Sequence, residues 1–198
     1  MYSTIKRGGD FILSCIGFII LLPLFLVLVV VIRLDSPGPA LFRQKRIGIH
    51  KKHFYIWKFR TMSKDAPKDI PTHLQKDTEL HMTSLGRFLR RTSLDELPQL
   101  INIIKGEMSI VGPRPALWNQ YDLVEERDKY GVHNVKPGLT GWAQINGRDE
   151  LDISQKARLD GEYVKKIGLG MDVKCFFGTF LPVLRAEGVW EGETEKKG

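Results

Sequence analysis

Cysteine is scarce in this sequence: Cys15 and Cys175 are the two in 198 residues. Two isolated thiols make no disulfide framework and fit no zinc-ligand spacing, so the chain reads as folded in a reducing compartment. No GxxxxGK[ST] phosphate loop occurs, and no serine or cysteine has a convincing histidine partner. Phosphate-loop hydrolases and Ser/Cys nucleophile enzymes are therefore poor matches. His50 and His53 are three apart, but Lys51 and Lys52 lie between them, and local positive charge disfavours a metal. No internal repeat is present. Acidic excess is also lacking: the net charge is +7 and the pI about 9.4. That balance suits nucleic acid, anionic lipid or phosphorylated substrates equally well.

What the chain does have is one long apolar run. Phe11 to Ile32 is 22 residues without a charge. As a straight helix it would measure about 33 Å, enough for a hydrocarbon core of about 30 Å. A signal peptide would have a shorter apolar region and a small-residue cleavage site, and "VVVIRLDSPGPA" is a poor match. Pro23 at the midpoint removes a backbone hydrogen bond and bends a helix. Both flanks are basic: Lys6 and Arg7 before, then Arg33, Arg43, Lys45, Arg46, Lys51 and Lys52. Basic flanks prefer the cytoplasmic side. A helix broken at Pro23 could enter and leave on one side, and a simple span with a tolerated proline fits as well. The pattern divides the chain into residues 1–36, in the membrane, and 37–198, a catalytic-sized domain.

Beyond Pro39 the pattern predicts strands over Leu41–Arg46 and Phe54–Arg60, a hairpin around Gly48. Ser63–Thr83 reads as an exposed polar loop. "SLGRFLRR" predicts a short helix with Leu85, Phe88 and Leu89 on one face. Leu97, Leu100, Ile101 and Ile104 predict another, stopping at Gly106. Pro98 places its start close to Asp95. A further helix is expected from Ala116 to Tyr130, a loop over "VKPGLTGWAQINGRDE", and a helix over Ile153–Lys166. The segment from Asp172, with Phe176, Phe177, Phe180, Leu181 and Leu184, suits a core helix or one lying in a membrane interface. The basic and aromatic hairpin "HKKHFYIWKFR" raises nucleic-acid binding, but after a membrane segment it fits headgroups or a packed helix better. The fold class expected is α+β, mainly helical.

"SLDELPQL" places Asp95 and Glu96 side by side in a basic neighbourhood. Ser93 and Glu96 match a capping box, and acids favour the positive end of a helix dipole. The same pair can do chemistry. An ionised aspartate can attack phosphorus and form an acyl phosphate. Two adjacent carboxylates can hold Mg²⁺ together with substrate phosphates. Arg90, Arg114 and Arg148 would neutralise a diphosphate, with Lys58 and Arg60 as weaker candidates explained nearly as well by strand packing.

"SPGPALFRQKRIG", "WKFRTM", "SLDELPQLINIIKGEMSIVGPRP" and "KPGLTGWAQINGR" together resemble the bacterial sugar transferases, the polyprenyl-phosphate phosphoglycosyl transferases, in their small monotopic form. The resemblance runs from the membrane segment to about Tyr163. It implies a reentrant helix broken near Pro23 and a compact interfacial domain on the cytoplasmic face of the bacterial inner membrane. It implies transfer of a sugar phosphate from a UDP-sugar, here an N-acetylated amino sugar, to a polyprenyl phosphate such as undecaprenyl phosphate, with release of UMP. Asp95 would be the nucleophile, and Glu96 would assist with Mg²⁺. Leu22 stands where some members have serine, and "GRDE" departs from the "GRN" of many members. The chain looks like the minimal enzyme. Membrane lipid, downstream glycosyltransferases and a second copy are the partners expected, and nucleic acid is not. Two rivals remain at this level: a non-catalytic anchored binder of anionic lipid, and another lipid phosphoryl-transfer enzyme.

Overall fold

The computed structural model describes residues 2–63, 66, 81–147 and 150–179. The expected loop at Ser63–Thr83 falls mostly outside them, as do Arg148, Phe180, Leu181 and Leu184. The first element, α1, is a helix over Tyr2–Asp35 that runs through Pro23. Its apolar stretch is long enough to cross a membrane by length and composition. One face packs inward, with Asp10, Ser14, Phe25, Leu28 and Ile32 buried, while Ile12, Ile16, Ile19, Ile20, Leu26 and Val30 stay exposed.

β1 (Leu41–Ile47) and β2 (His53–Phe59) form the antiparallel hairpin, with Phe42 opposite Lys58 and Arg43 opposite Trp57. The turn between them uses positive φ at His50 and Lys51. α2 (Ser84–Arg91) is capped by the Thr83 side chain, which accepts from the Gly86 amide. Leu89 is fully buried there but Phe88 is 54% exposed, so the predicted apolar face of this helix is only partly inward.

A 3-10 helix over Leu94–Gln99 then leads into α3 (Leu100–Lys105). Gly106 ends α3 in the left-handed region, at φ 81°, as the sequence predicts. The residues driven deepest are not the predicted stripe but Pro98, Gln99, Asn102 and Ile103. Leu97 instead packs toward the cluster of Phe25, Leu28, Ile32, Ala40, Phe59 and Leu89. The predicted stripe is thus a half-buried face turned toward α1.

β3 (Ser109–Val111) pairs in parallel with β4 (Gly138–Thr140). This small sheet explains the glycines of "VGPRP" and "KPGLTGW". A Cβ at Gly138 would collide with the Gly112 amide, and one at Gly141 with the Gly112 carbonyl. The helix expected from Ala116 is shorter: α4 is Tyr121–Asp128. Ala116 and Leu117 are taken by the hairpin instead, since the Ile47 amide donates to Ala116 O at 2.9 Å and Arg46 bridges to Leu117. α5 is Trp142–Ile145, α6 Ile153–Lys165 and α7 Leu169–Gly178. Asp152 caps α6 by accepting from the Gln155 amide.

Candidate active site

Asp95 and Glu96 lie in the first turn of the 3-10 helix, but the predicted capping box does not form. Ser93 takes a left-handed conformation, φ 57°, and its side chain caps nothing. The reason is visible at Glu96. Arg114 grips that carboxylate with two nitrogens, Nη2 at 2.5 Å from Oε1 and Nη1 at 3.2 Å from Oε2. Lys58 Nζ donates to Oε1 at 2.7 Å. Two cations offer a carboxylate far more than one backbone amide does.

Asp95 is 5% exposed, and its Oδ2 lies 3.8 Å from Lys58 Nζ. Burial pushes its carboxyl up to about 6, against the pull of Lys58, Arg90 and Arg114. Glu96 goes the other way: Arg114 and Lys58 outweigh burial and hold it well below the usual carboxylate range. Two neighbouring acids are thus pushed apart, one locked as an anion and the other poised within reach of neutral pH. Burial also lowers Lys58, which the two carboxylates only partly offset.

Three elements converge to make this. The 3-10 helix carries the acids, β2 carries Lys58, and the loop after β3 carries Arg114. Arg90, on α2, lies close enough to lower the Asp95 carboxyl, and it donates to Thr61 Oγ1 at 3.2 Å. Arg60 has a different task. Its guanidinium donates to the carbonyls of Pro37, Ile32 and Ser36 at 2.9, 3.1 and 2.5 Å, closing the C-terminus of α1.

A model of the family described as bacterial sugar transferase matches residues 1–186. The chain belongs to that family. An uncharacterized sugar transferase of Bacillus subtilis is 42% identical over 179 residues, which is 90% of this chain and 84% of that protein. The UDP-glucose:undecaprenyl-phosphate glucose-1-phosphate transferase of Escherichia coli is 41% identical over 183 residues, 88% of this chain but 39% of its own length. The UDP-N-acetylgalactosamine-undecaprenyl-phosphate N-acetylgalactosaminephosphotransferase of Aeromonas hydrophila is 35% identical over 193 residues, 95% of this chain and 45% of its own length. The chain thus spans less than half of these two relatives.

What holds the Asp95–Glu96 pair is not legible in its motif. Asn102 is fully buried; its Nδ2 donates to Tyr55 O at 2.8 Å and its Oδ1 accepts from the Trp57 amide at 3.1 Å. It pins α3 to β2 and so sets Lys58 against Glu96. A lone amide inside "LINIIK" was the available signal. Arg127 and Asp160 form a buried ion pair at 2.5 Å, and Arg127 Nη1 donates to Arg114 O at 2.9 Å. Nothing in the sequence separates Arg127 from an exposed helical arginine.

Among the described residues no three His, Cys, Asp or Glu side chains gather in a metal-binding cluster. Two carboxylates nevertheless suit a hard cation that keeps several waters and shares substrate phosphates. Oε1 of Glu96 is taken by two cations, whereas Oε2 accepts one bond, from Arg114. Asp95 and Oε2 of Glu96 are the donors that fit Mg²⁺.

Proposed function

We propose that this chain transfers a sugar 1-phosphate from a UDP-sugar to undecaprenyl phosphate and releases UMP. The observation that carries the reading is the buried, elevated Asp95 beside the Lys58–Glu96–Arg114 cluster. A carboxylate that has lost water and has little hydrogen bonding is a better nucleophile than a solvated one. The Asp95 carboxylate attacks the sugar-bearing phosphorus. A carboxyl O–P bond forms, the P–O bond to the nucleotide breaks, and UMP leaves with that electron pair. An oxygen of undecaprenyl phosphate then attacks the same phosphorus and returns Asp95 as a free carboxylate. Glu96 stays ionised and holds Lys58 and Arg114 beside the reacting phosphates, where they offset developing charge. Mg²⁺ held by Asp95 and Glu96 would supply Lewis-acid stabilisation of the diphosphate.

The names of the two transferase relatives support the donor and acceptor classes; one names glucose and the other N-acetylgalactosamine, so an N-acetylated amino sugar is one of two donor types they carry. Membrane placement is read from α1. Lys6 and Tyr2 at one end both reach Asp172 at 2.6 Å, while Phe25, Leu28 and Ile32 near the other end join Phe59 and Leu89. Both ends therefore meet one catalytic body, which supports having both flanks on the cytoplasmic face of the inner membrane, although α1 itself is continuous through Pro23 and not broken there as expected. A transferase of this kind would act at the first membrane step of polysaccharide or glycoconjugate assembly.

The test is a half-reaction. UDP-sugar with Mg²⁺ and no lipid should release about one UMP per active enzyme, the burst that marks covalent catalysis. A phospho-sugar should then be found on the Ser93–Gln99 peptide by mass spectrometry, and polyprenyl phosphate should discharge it. UMP release that strictly requires the lipid, with no adduct, would refute the covalent route. A panel of UDP-sugars names the sugar.

A further inference from the structure

The first turns of α1 carry polar groups that the chemistry above does not use. Arg7 sends Nη1 to Ile103 O at 2.7 Å and Nη2 to Ile104 O at 2.8 Å. These carbonyls belong to the last turn of α3. Asp10, 7% exposed, accepts from Ser109 Oγ at 2.7 Å and from the Ile110 amide at 3.2 Å. These groups open β3. Gly106 completes the arrangement, because a Cβ there would come within 3.2 Å of the Arg7 guanidinium.

We propose that Arg7 and Asp10 are positioning residues that set the dyad geometry through the far ends of α3 and β3. The inference rests on the transferase reading above. α3 is the direct continuation of the segment bearing Asp95 and Glu96, and at six residues it is about 9 Å long. β3 runs straight into the loop bearing Arg114. The Glu96–Arg114 contact is therefore made at the near ends of two short, stiff elements whose far ends are held by one helix turn. The chemistry of the hold is specific. Arginine can donate in parallel to two adjacent carbonyls, and its charge meets the negative end of α3. Asp10 satisfies the edge amide that the β3–β4 pairing leaves open, with charge-assisted bonds. Docking of the membrane helix and assembly of the phosphate site become one event. The enzyme is then complete only where α1 is seated.

The experiment uses the full chain in membranes, reading kcat and KM for the UDP-sugar by UMP release. Arg7→Ala and Asp10→Ala should lower kcat by roughly tenfold or more with KM little changed, since misplacement by an ångström can cost about a hundredfold. Arg7→Lys and Asp10→Asn should recover part of it, with membrane recovery and thermal midpoint as in the parent. These milder variants carry the test if the alanines fail to fold. In a double-mutant cycle, Asp10→Asn with Arg114→Lys should lose no more than the worse single change. Lys6→Gln removes one of the two ties from the same helix end to α7, leaving that of Tyr2, without touching α3 or β3, and should keep the parent kcat. Unchanged kcat in the Arg7 and Asp10 variants, an equal fall in Lys6→Gln, additive losses in the cycle, or a rise in KM alone would overturn the proposal. A parent enzyme that releases no UMP from any UDP-sugar refutes the transferase reading itself, and this inference with it.

Discussion

In the proposed mechanism Asp95 attacks as a buried carboxylate, and burial and ionisation make conflicting demands on it. Burial raises its carboxyl to about 6, so a falling pH protonates Asp95 within an accessible range. Turnover should therefore decline as pH drops through about 6, measured as initial UMP release. Lys58 Nζ, 3.8 Å from Oδ2, is the cation that opposes that rise most. Lys58→Met should shift the acid limb to higher pH, because removing a positive neighbour favours the protonated acid. The fold feels the same conflict with opposite sign. A carboxyl raised in the folded state binds a proton there more readily than in the unfolded chain. It favours the fold at low pH and loses that contribution as pH rises through about 6. Asp95→Asn should thus abolish turnover yet raise stability at neutral pH by on the order of 1–2 kcal/mol, read by thermal or denaturant unfolding. A destabilised Asn variant would show that Lys58 outweighs the burial cost.

At the scale of elements, the site is built by parts that lie behind it. The Arg127–Asp160 pair, nearly free of solvent, joins α4 to α6 and holds the backbone of Arg114. Asp160→Asn leaves a buried guanidinium without its counter-charge, which costs about 3–5 kcal/mol. Its activity should fall with its unfolding midpoint. The β3–β4 contact has a different tolerance. Gly141 abuts the Gly112 carbonyl, so even Ala there forces backbone apart. Gly141→Ala should destabilise by about 3 kcal/mol or more, a cost typical of severe overpacking. On α1, Pro23 and the basic flanks bear on topology. Single cysteines near Ser3 and near Ser36, in a chain with Cys15 and Cys175 replaced, should both resist an impermeant reagent in intact cells. Labelling at the Ser3 site alone would establish a span.

At the scale of the whole molecule, α1 belongs to the core as much as to the membrane. Phe25 stacks obliquely on Phe59 at 5.4 Å between centroids, and Ile32 is 2% exposed. Arg60 closes the C-terminus of α1, and Arg7, Asp10 and Lys6 tie down its start. A fragment of residues 37–198 would uncover this apolar cluster and leave the ends of α3 and β3 unheld. Such a fragment should be recovered as aggregate and release no UMP. A soluble fragment with parent turnover would show that α1 is only an anchor.

The sequence by itself determined the local features that depend on neighbours along the chain. The hairpin around Gly48, the αL stop at Gly106, the Asp95–Glu96 pair in the first helical turn ahead of Pro98 and the long apolar run were all legible from turn chemistry and periodicity. The motifs also determined the family. Tertiary structure alone decided what depended on partners far apart in sequence. Ser93 leaves its cap because Glu96 is claimed by Lys58, 38 residues earlier, and Arg114, 18 later. Arg60 turns to α1, while Asn102 turns to β2. The helix expected from Ala116 starts late because its first residues complete an edge of β1. Periodicity could not identify the residues deepest in α3, because a short helix packed on both β2 and α1 has more than one buried face. Arg7 reads as part of the basic flank of a membrane helix, and Asp10 carries no signal of its own in the sequence. Only the fold, by bringing that flank against Ile103, Ile104 and Ser109, shows them holding the ends of α3 and β3.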